Sequence, residues 1–340
     1  MALALVIGIL GGAVAALAGL PLPWLLGAMI GNTLAAFLRL PVQGPARLRP
    51  VVIPVIGVML GSGFTPEILG ALGNWATTLL LLPPFILGAA GVSYAYYRRA
   101  ALYDPITAFY AAMPGGLNEM LLLGAAAGGD ERRIALAHAT RILVVVTFVV
   151  GFFSLALGVG TGGGGRPYHQ IGSFSLLDLA LLLGAGVGGV WLATQLRLPA
   201  APLLGPMVLS AAAHLAGWVT VPPPSIVVIL AQIVIGTVIG CRFAGTPPAE
   251  MIRDIAHGAG ASLCMIAMAV AFAALLSAMT GADLSQSFLA FSPGGLTEMS
   301  LLALAMGQDV AYVAVAHTAR IAYVVFGAPF LFRLTGIRPE

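Results

Sequence analysis

The sequence predicts an all-α polytopic membrane protein made of two inverted repeats, each of about five crossings plus a broken or re-entrant helix. Three observations carry that expectation. Hydrophobic residues are 60% of the chain and charged residues 8%, with a mean hydropathy of +1.03, whereas soluble domains carry about 25% charged residues. The stretch Pro114-Gly115-Gly116-Leu117-Asn118-Glu119-Met120 recurs as Pro293-Gly294-Gly295-Leu296-Thr297-Glu298-Met299, 179 residues later. The arginines that follow the apolar segments are distributed in opposite senses in the two halves.

The duplication extends well past the motif. Asp130 pairs with Asp309, His138 with His317 and Arg141 with Arg320, and sixteen of the 29 positions from Pro114 to Ile142 are identical at this offset. Apolar drift aligns Leu with Leu; it does not align Glu, Asp, His and Arg. Earlier echoes are weaker. Gly57, Gly61 and Phe64 match Gly236, Gly240 and Phe243, and Leu25-Leu26-Gly27-Ala28-Met29 matches Leu203-Leu204-Gly205-Pro206-Met207. The paired G-x-x-x-G spacing is expected to serve close helix packing.

Six apolar segments are read in each half: 3–20, 22–38, 51–64, 75–98, 104–127 and 133–158, then 177–195, 200–217, 225–240, 258–280, 285–306 and 310–333. A full span needs about 20 residues, so the short and Gly/Pro-interrupted ones are expected to be tilted, broken or re-entrant. The domains are therefore residues 1–158 as repeat one, 159–175 as a glycine-rich linker, and 176–334 as repeat two. The first twenty residues lack the basic start of a signal peptide. Gly8 and Gly11 also find counterparts at Gly186 and Gly189, so this segment is expected to belong to the fold.

Short cytoplasmic loops collect basic residues. In the first half Arg39, Arg47 and Arg49 follow segment two, and Arg98 and Arg99 follow segment four; the matching loops of the second half have none. Conversely, Arg197, Arg242 and Arg253 follow segments one and three of the second half, where the first half has none. Opposite bias in two copies of one fold predicts inverted insertion, hence an odd number of crossings per half. Either segment five turns back as a re-entrant hairpin, or it crosses as a broken helix and another short segment does not span. All fifteen basic residues are arginine and none forms a basic block, which excludes a nucleic-acid surface. Cys241 and Cys264 have no metal spacing and read as apolar fillers. His214 and His257 have no counterparts and read as incidental.

The polar residues at the repeat are the candidate site. Proline removes a backbone donor, and paired glycines permit positive φ, so Gly115, Gly116, Gly294 and Gly295 are expected to break segment five in both halves. Freed backbone groups inside hydrocarbon must be satisfied by protein or by water in a cavity, and half-helix ends supply fixed dipoles for ions and substrates. Asp104 and Asp283 are expected N-caps, as are Asp130 and Asp309 after Gly128 and Gly307. Glu119 and Glu298 follow each break; they are either ion-binding carboxylates or members of structural salt bridges. His138 and Arg141, like His317 and Arg320, share a helix face by their spacing of three. The arginines are expected to hold the glutamates or to bind an anionic solute, and the histidines to relay protons or to sit satisfied in the core. Asn118 and Thr297, polar in both copies, are expected to face the same cavity. One His and one Glu per half, far apart in sequence, is not a metal site.

With its two P-G-G-L-x-E-M motifs and trailing H-x-x-R, the chain resembles the AbrB family of bacterial membrane proteins along nearly its whole length. That family has a duplicated membrane domain and is distinct from the small DNA-binding regulators that share the name. Its members are labelled ammonia monooxygenase or regulator of gene expression. The family is in turn similar to inverted-repeat transporters such as cation–proton antiporters and bile-acid sodium symporters, in which broken helices meet at the substrate site. The resemblance implies a bacterial inner-membrane, multi-pass secondary transporter of a small solute coupled to a proton or cation. A membrane regulator or sensor is the alternative, and an oxidoreductase lacks the ligand cluster it needs. No cofactor, enzyme activity or nucleic-acid partner is expected. The expected partners are the bilayer, a solute, its coupling ion and, in an assembly, further copies of the chain.

Overall fold

The computed structural model describes residues 1–20, 22–64, 68–155, 174–198 and 200–337, with the side chains at 68–74, 118, 119, 150 and 153–155 excepted. The linker expected at 159–175 lies outside the described residues up to 173. Helices account for 80% of the structure, and there is no strand among the described residues. Among the described residues, five helical stretches are long and apolar enough to cross a membrane: Trp75–Arg99, Leu176–Gln195, Ser225–Phe243, Pro248–Thr280 and Val310–Thr335. The protein is an all-α membrane protein.

Fourteen α-helices follow one another among the described residues. The first half contributes α1 (Ala2–Leu17), α2 (Pro23–Phe37), α3 (Arg49–Gly61), α4 (Ile68–Arg99), α5 (Pro105–Ala112), α6 (Leu117–Ala126) and α7 (Glu131–Leu155). The second contributes α8 (Leu176–Gln195), α9 (Ala201–Leu215), α10 (Ser225–Gly240), α11 (Pro248–Thr280), α12 (Leu284–Phe291), α13 (Leu296–Ala305) and α14 (Val310–Thr335). Segment five is thus two short helices in each half. At 1.5 Å per residue these are about 12 and 15 Å long, so neither piece spans a hydrocarbon core of about 30 Å alone. The expected start of α11 at residue 258 is corrected to Pro248. Its first turns carry Glu250, Arg253, Asp254 and His257, which depress hydropathy without interrupting the helix. The same correction applies to α4, which begins before the expected residue 75.

Two compact units draw on both halves of the sequence: Met1–Leu72, Val150–Gly245 and Ser300–Ala311 form one, and Gly73–Val149, Thr246–Met299 and Tyr312–Glu340 the other. In the first unit backbone meets backbone through glycine. Gly11 of α1 lies against the Gly27 carbonyl of α2, and Gly189 of α8 against Gly205 of α9. The G-x-x-x-G pairs then join the halves. Gly57 and Gly61 of α3 face the Leu203 and Met207 carbonyls of α9, while Gly236 and Gly240 of α10 face those of Leu25 and Met29 in α2. The two L-L-G-x-M echoes are therefore the surfaces on which these glycines lie. Buried polar residues that sequence reading passed over bond across the same seams. Ser210 donates to the Val58 carbonyl at 2.7 Å, and Asn32 donates to the Ala4 and Ala28 carbonyls at 3.0 and 2.9 Å. His214, expected to be incidental, places Nδ1 2.8 Å from the Ser210 carbonyl and Nε2 3.2 Å from that of Val221. It ties α9 to the turn that follows it.

The second unit is packed by aromatic rings. Phe85 of α4 meets Phe291 of α12 edge-on at 5.3 Å and Phe272 of α11 at 5.6 Å. Phe332 of α14 contacts Phe109 of α5 at 5.3 Å. These contacts hold the short helices between long ones.

The glycine seams generate a test. A methyl group at Gly57 or Gly236 would run into a backbone carbonyl, so Gly57→Ala and Gly236→Ala are expected to cost about 1–3 kcal/mol each. Gly184 and Gly327 have open space around the same position, and Ala there is expected to be neutral or to gain about 0.5–1 kcal/mol of helix stability. Thermal unfolding of the four variants in detergent measures the contrast.

Candidate functional site

The two helix breaks are built in one way. Asp104 caps α5 by accepting the Thr107 N–H at 2.9 Å, and Asp283 caps α12 by accepting that of Gln286 at 2.9 Å. Each short helix then runs into Pro-Gly-Gly, and its terminal carbonyls lose their helical partners. Donors from the next long helix replace them. On α7, His138 Nε2 lies 2.9 Å from the Tyr110 carbonyl, and Arg141 donates from Nη1 to Met113 at 2.9 Å and from Nη2 to Gly115 at 3.0 Å. On α14, His317 Nε2 lies 2.9 Å from the Leu289 carbonyl, while Arg320 donates from Nη1 to Ser292 and from Nη2 to Gly294 at 2.6 Å.

The spacing of three thus delivers three donors to one broken end, a C-cap supplied by another helix. The cation also complements the negative end of α5 or α12. A ring nitrogen facing a carbonyl must carry the proton, so Nε2 is the donor in both histidines. In His317 the other nitrogen, Nδ1, faces an Arg320 Nη2 donor at 3.1 Å and accepts from it. That imidazole is neutral, and it steers the guanidinium.

The motif itself becomes legible. The φ values of Gly115, Gly116, Gly294 and Gly295 are not positive, Gly116 being extended at φ −67° and ψ 138°. The expectation of left-handed turns is corrected: these glycines exist for close approach. A Cβ on Gly294 would strike Met299 at 2.6–2.8 Å, and one on Gly115 would lie 3.3 Å from Met120. A Cβ on Gly295 would overlap the Glu298 carboxylate. Methionine folds back on the first glycine, therefore, and glutamate on the second. Glu298 occupies the third position of α13, where a carboxylate meets the N–H end of the helix. It is buried, as are Met120, Met299, both histidines and both arginines.

Glu119 holds the same backbone position in α6, but its side chain and that of Asn118 lie outside the described residues. Thr297 is half-buried beside Glu298. Asp130 caps α7 through the Arg133 N–H at 3.0 Å, and Gly128 and Gly307 take positive φ at the ends of α6 and α13.

The first break lies against α14, the helix that braces the second. A Cβ on Gly115, in the first break, would lie 2.7 Å from Val324 Cγ1, one turn beyond Arg320 on α14. Arg141 lies within electrostatic range of Arg320. No group of three His, Cys, Asp or Glu able to hold a metal occurs among the described residues.

An all-helical membrane protein with two arginine-braced, glutamate-bearing helix breaks is the class that fold and site define. The chain belongs to the AbrB family: the family model described as "Transition state regulatory protein AbrB" matches residues 24–336. It is similar to the uncharacterized protein YhjN of Bacillus subtilis (strain 168), at 26% identity over 95% of this chain and 90% of the relative. It is also similar to a protein of Escherichia coli (strain K12) named as a candidate regulator, AbrB, at 25% identity over 92% of this chain and 90% of the relative.

Removing a brace should be costly. Arg141→Leu and Arg320→Leu each orphan two buried carbonyls, at about 1–3 kcal/mol apiece, so both are expected to lower the unfolding temperature sharply. Lysine at either position is expected to restore only part of the loss, because it lacks the two-pronged donor geometry. Parent-like melting of the leucine variants would rule out the bracing role.

Proposed function

We propose that the protein is a secondary transporter that moves a small solute across the bacterial inner membrane, coupled to a proton or cation, with its site at the two breaks. The observation that carries this reading is the pair of interrupted helices, each with a carboxylate at the start of its second piece. Interrupted helices leave oriented backbone dipoles inside a membrane protein, the usual material of ion and solute sites. Both Nη groups of each arginine are committed to carbonyls. We assign the glutamates, as the carboxylates that start each second piece, to bind and release a coupling cation, and Asn118 and Thr297, beside them in the sequences of α6 and α13, to the solute. We read the two repeats as inverted, with alternating access arising from movement of one bundle against another.

The names of the family and of the Escherichia coli relative favour a second reading, a membrane regulator that senses a ligand without carrying it. The same site would serve: a solute bound at the breaks would shift a conformational equilibrium by its differential affinity for two states.

Proteoliposomes distinguish the two. With an imposed proton or sodium gradient, the parent chain is expected to drive uptake of at least one member of a panel of small carboxylates, amines and neutral solutes. Glu119→Gln and Glu298→Gln are expected to reduce gradient-driven uptake at least about tenfold, the weight of roughly 1.4 kcal/mol, while still eluting as folded protein. If both variants transport like the parent, the carboxylates are structural. Absence of flux across the panel, together with a ligand-induced rise in melting temperature, would establish the sensor instead.

A further inference from the structure

The second unit holds another polar cluster, which the duplication does not predict, on the first turns of α11. Asp254 there is 3% exposed, and its Oδ1 has no hydrogen-bond partner among the described residues. Its nearest cation is Arg253 Nε at 3.9 Å, on a side chain 58% exposed; pairs so long and so exposed are weak. The other charges facing it are committed elsewhere. Arg132 at the start of α7 pairs with Glu250 of α11, and Arg133 pairs with Asp130 at 3.5 Å while lying over the Tyr103 ring.

Tyr103, in the turn after α4, is buried and stacked on Tyr97 at 5.1 Å, and its hydroxyl has no described partner. Burial first, and then the charge of Asp254, push that hydroxyl up to about 12, so it keeps its proton. One turn along α11, His257 Nδ1 is buried without a described partner. At Gly258 a Cβ would lie 3.2 Å from Thr140 Oγ1, which is likewise unpartnered. Thr140 precedes Arg141, the brace of the first break, on α7.

The other copy lacks all of this. At the 179-residue offset Asp254, His257, Thr140 and Tyr103 correspond to Trp75, Thr78, Ala319 and Ala282. There Trp75 packs on Tyr312 at 6.0 Å, and Thr78 Oγ1 shares a 2.7 Å hydrogen bond with the Tyr312 hydroxyl. One copy is closed by satisfied aromatic packing; the other carries four buried polar atoms without a described partner. Such atoms are kept in a membrane protein where they serve a pathway, and water supplies the partners that protein does not.

We propose that Asp254 is a proton-binding carboxyl group and that, with Tyr103, His257 and Thr140, it forms a one-sided proton route to the Arg141-braced break. A proton suits the set, which offers one carboxyl, one imidazole and two hydroxyls, with no group of three metal-capable side chains among the described residues. The route names the coupling ion of the proposed transporter and rests on that reading only for its coupling; proton binding at Asp254 does not depend on it. The charged and titratable groups facing Asp254 are Glu250, Arg253 and His257 of α11, Asp130, Arg132 and Arg133 at the start of α7, and Tyr103.

Infrared difference spectra of the purified full-length chain between about pH 5 and about pH 8 report carboxyl protonation directly. The expected result is a carboxylic-acid band that is lost in Asp254→Asn, shifted in Asp254→Glu and retained in Glu250→Gln. A parent-like band in Asp254→Asn overturns the proposal. In proteoliposomes, Asp254→Asn is expected to lose the pH-gradient dependence of uptake, which Glu250→Gln keeps. If the parent shows no flux while the band follows Asp254, the transport reading falls and the proton site stands. If uptake in Asp254→Asn still follows the pH gradient, the route falls and the transport reading stands.

Discussion

A helix interrupted inside hydrocarbon has carbonyls with nothing to bond, and the rest of this structure is arranged around meeting that demand. The donors come from one turn of a neighbouring helix: His138 and Arg141 for the first break, His317 and Arg320 for the second. Because a guanidinium has several donors in a fixed fork, one arginine bridges the carbonyls on both sides of the intervening proline. The break is thereby held at a set geometry rather than left as a hinge. Its second helix starts where a carboxylate at the third position can fold against the glycine that precedes it. Proline, glycine, methionine, histidine and arginine are thus one device, assembled from two helices and made twice, with Glu298 folded against it in the second copy.

The two compact units meet the constraints of a bilayer in different ways. Helices gain little hydrophobic energy from one another in lipid, so the first unit relies on closeness: glycines on α3 and α10 lie on backbone carbonyls of α9 and α2. Each of these seams joins the first half of the sequence to the second, which is why the first unit is built from both halves. The second unit accepts interrupted helices and stabilises them with buried cations and aromatic packing. Where the copies agree, as in caps, glycines and braces, the residues serve architecture. Where they differ, as at Asp254 and Trp75 or Thr140 and Ala319, the two copies become chemically distinct.

Much of this was legible in the sequence, for reasons that can be named. Composition and the 179-residue offset predicted the helical class, and eleven of the twelve segments begin within seven residues of the helices they predict. Asp104, Asp283 and Asp130 were readable as caps because capping is local. The partners of Arg141 and Arg320 were not. Spacing placed each arginine and histidine on one face, but a backbone carbonyl leaves no mark in a sequence, so a carboxylate or a solute looked like the natural target. The glycine pairs were misread for a related reason: freedom in φ and absence of a side chain are the same letter, and only the positions of Met299 and Glu298 distinguish them. The start of α11 was missed because hydropathy cannot tell a polar turn inside a helix from a loop. Asn32 and Ser210 carried no repeat signature and needed the packing to be noticed.

The commitment of the arginines bears on what the site can carry. A guanidinium with two Nη groups bonded to carbonyls has little left to offer an anion, and moving it would orphan the carbonyls it serves. Its positive charge is therefore a fixed part of the site, like the half-helix dipoles. Glutamate at the start of the second helix is different, since a carboxyl group can be ionised or protonated. A fixed cation beside a carboxylate of variable charge is an arrangement in which binding a proton or metal cation changes the net charge presented to a solute. In the proposed transporter the duplicated brace supplies constancy, the glutamates supply the change, and an unduplicated carboxylate such as Asp254 is the element able to give that change a direction.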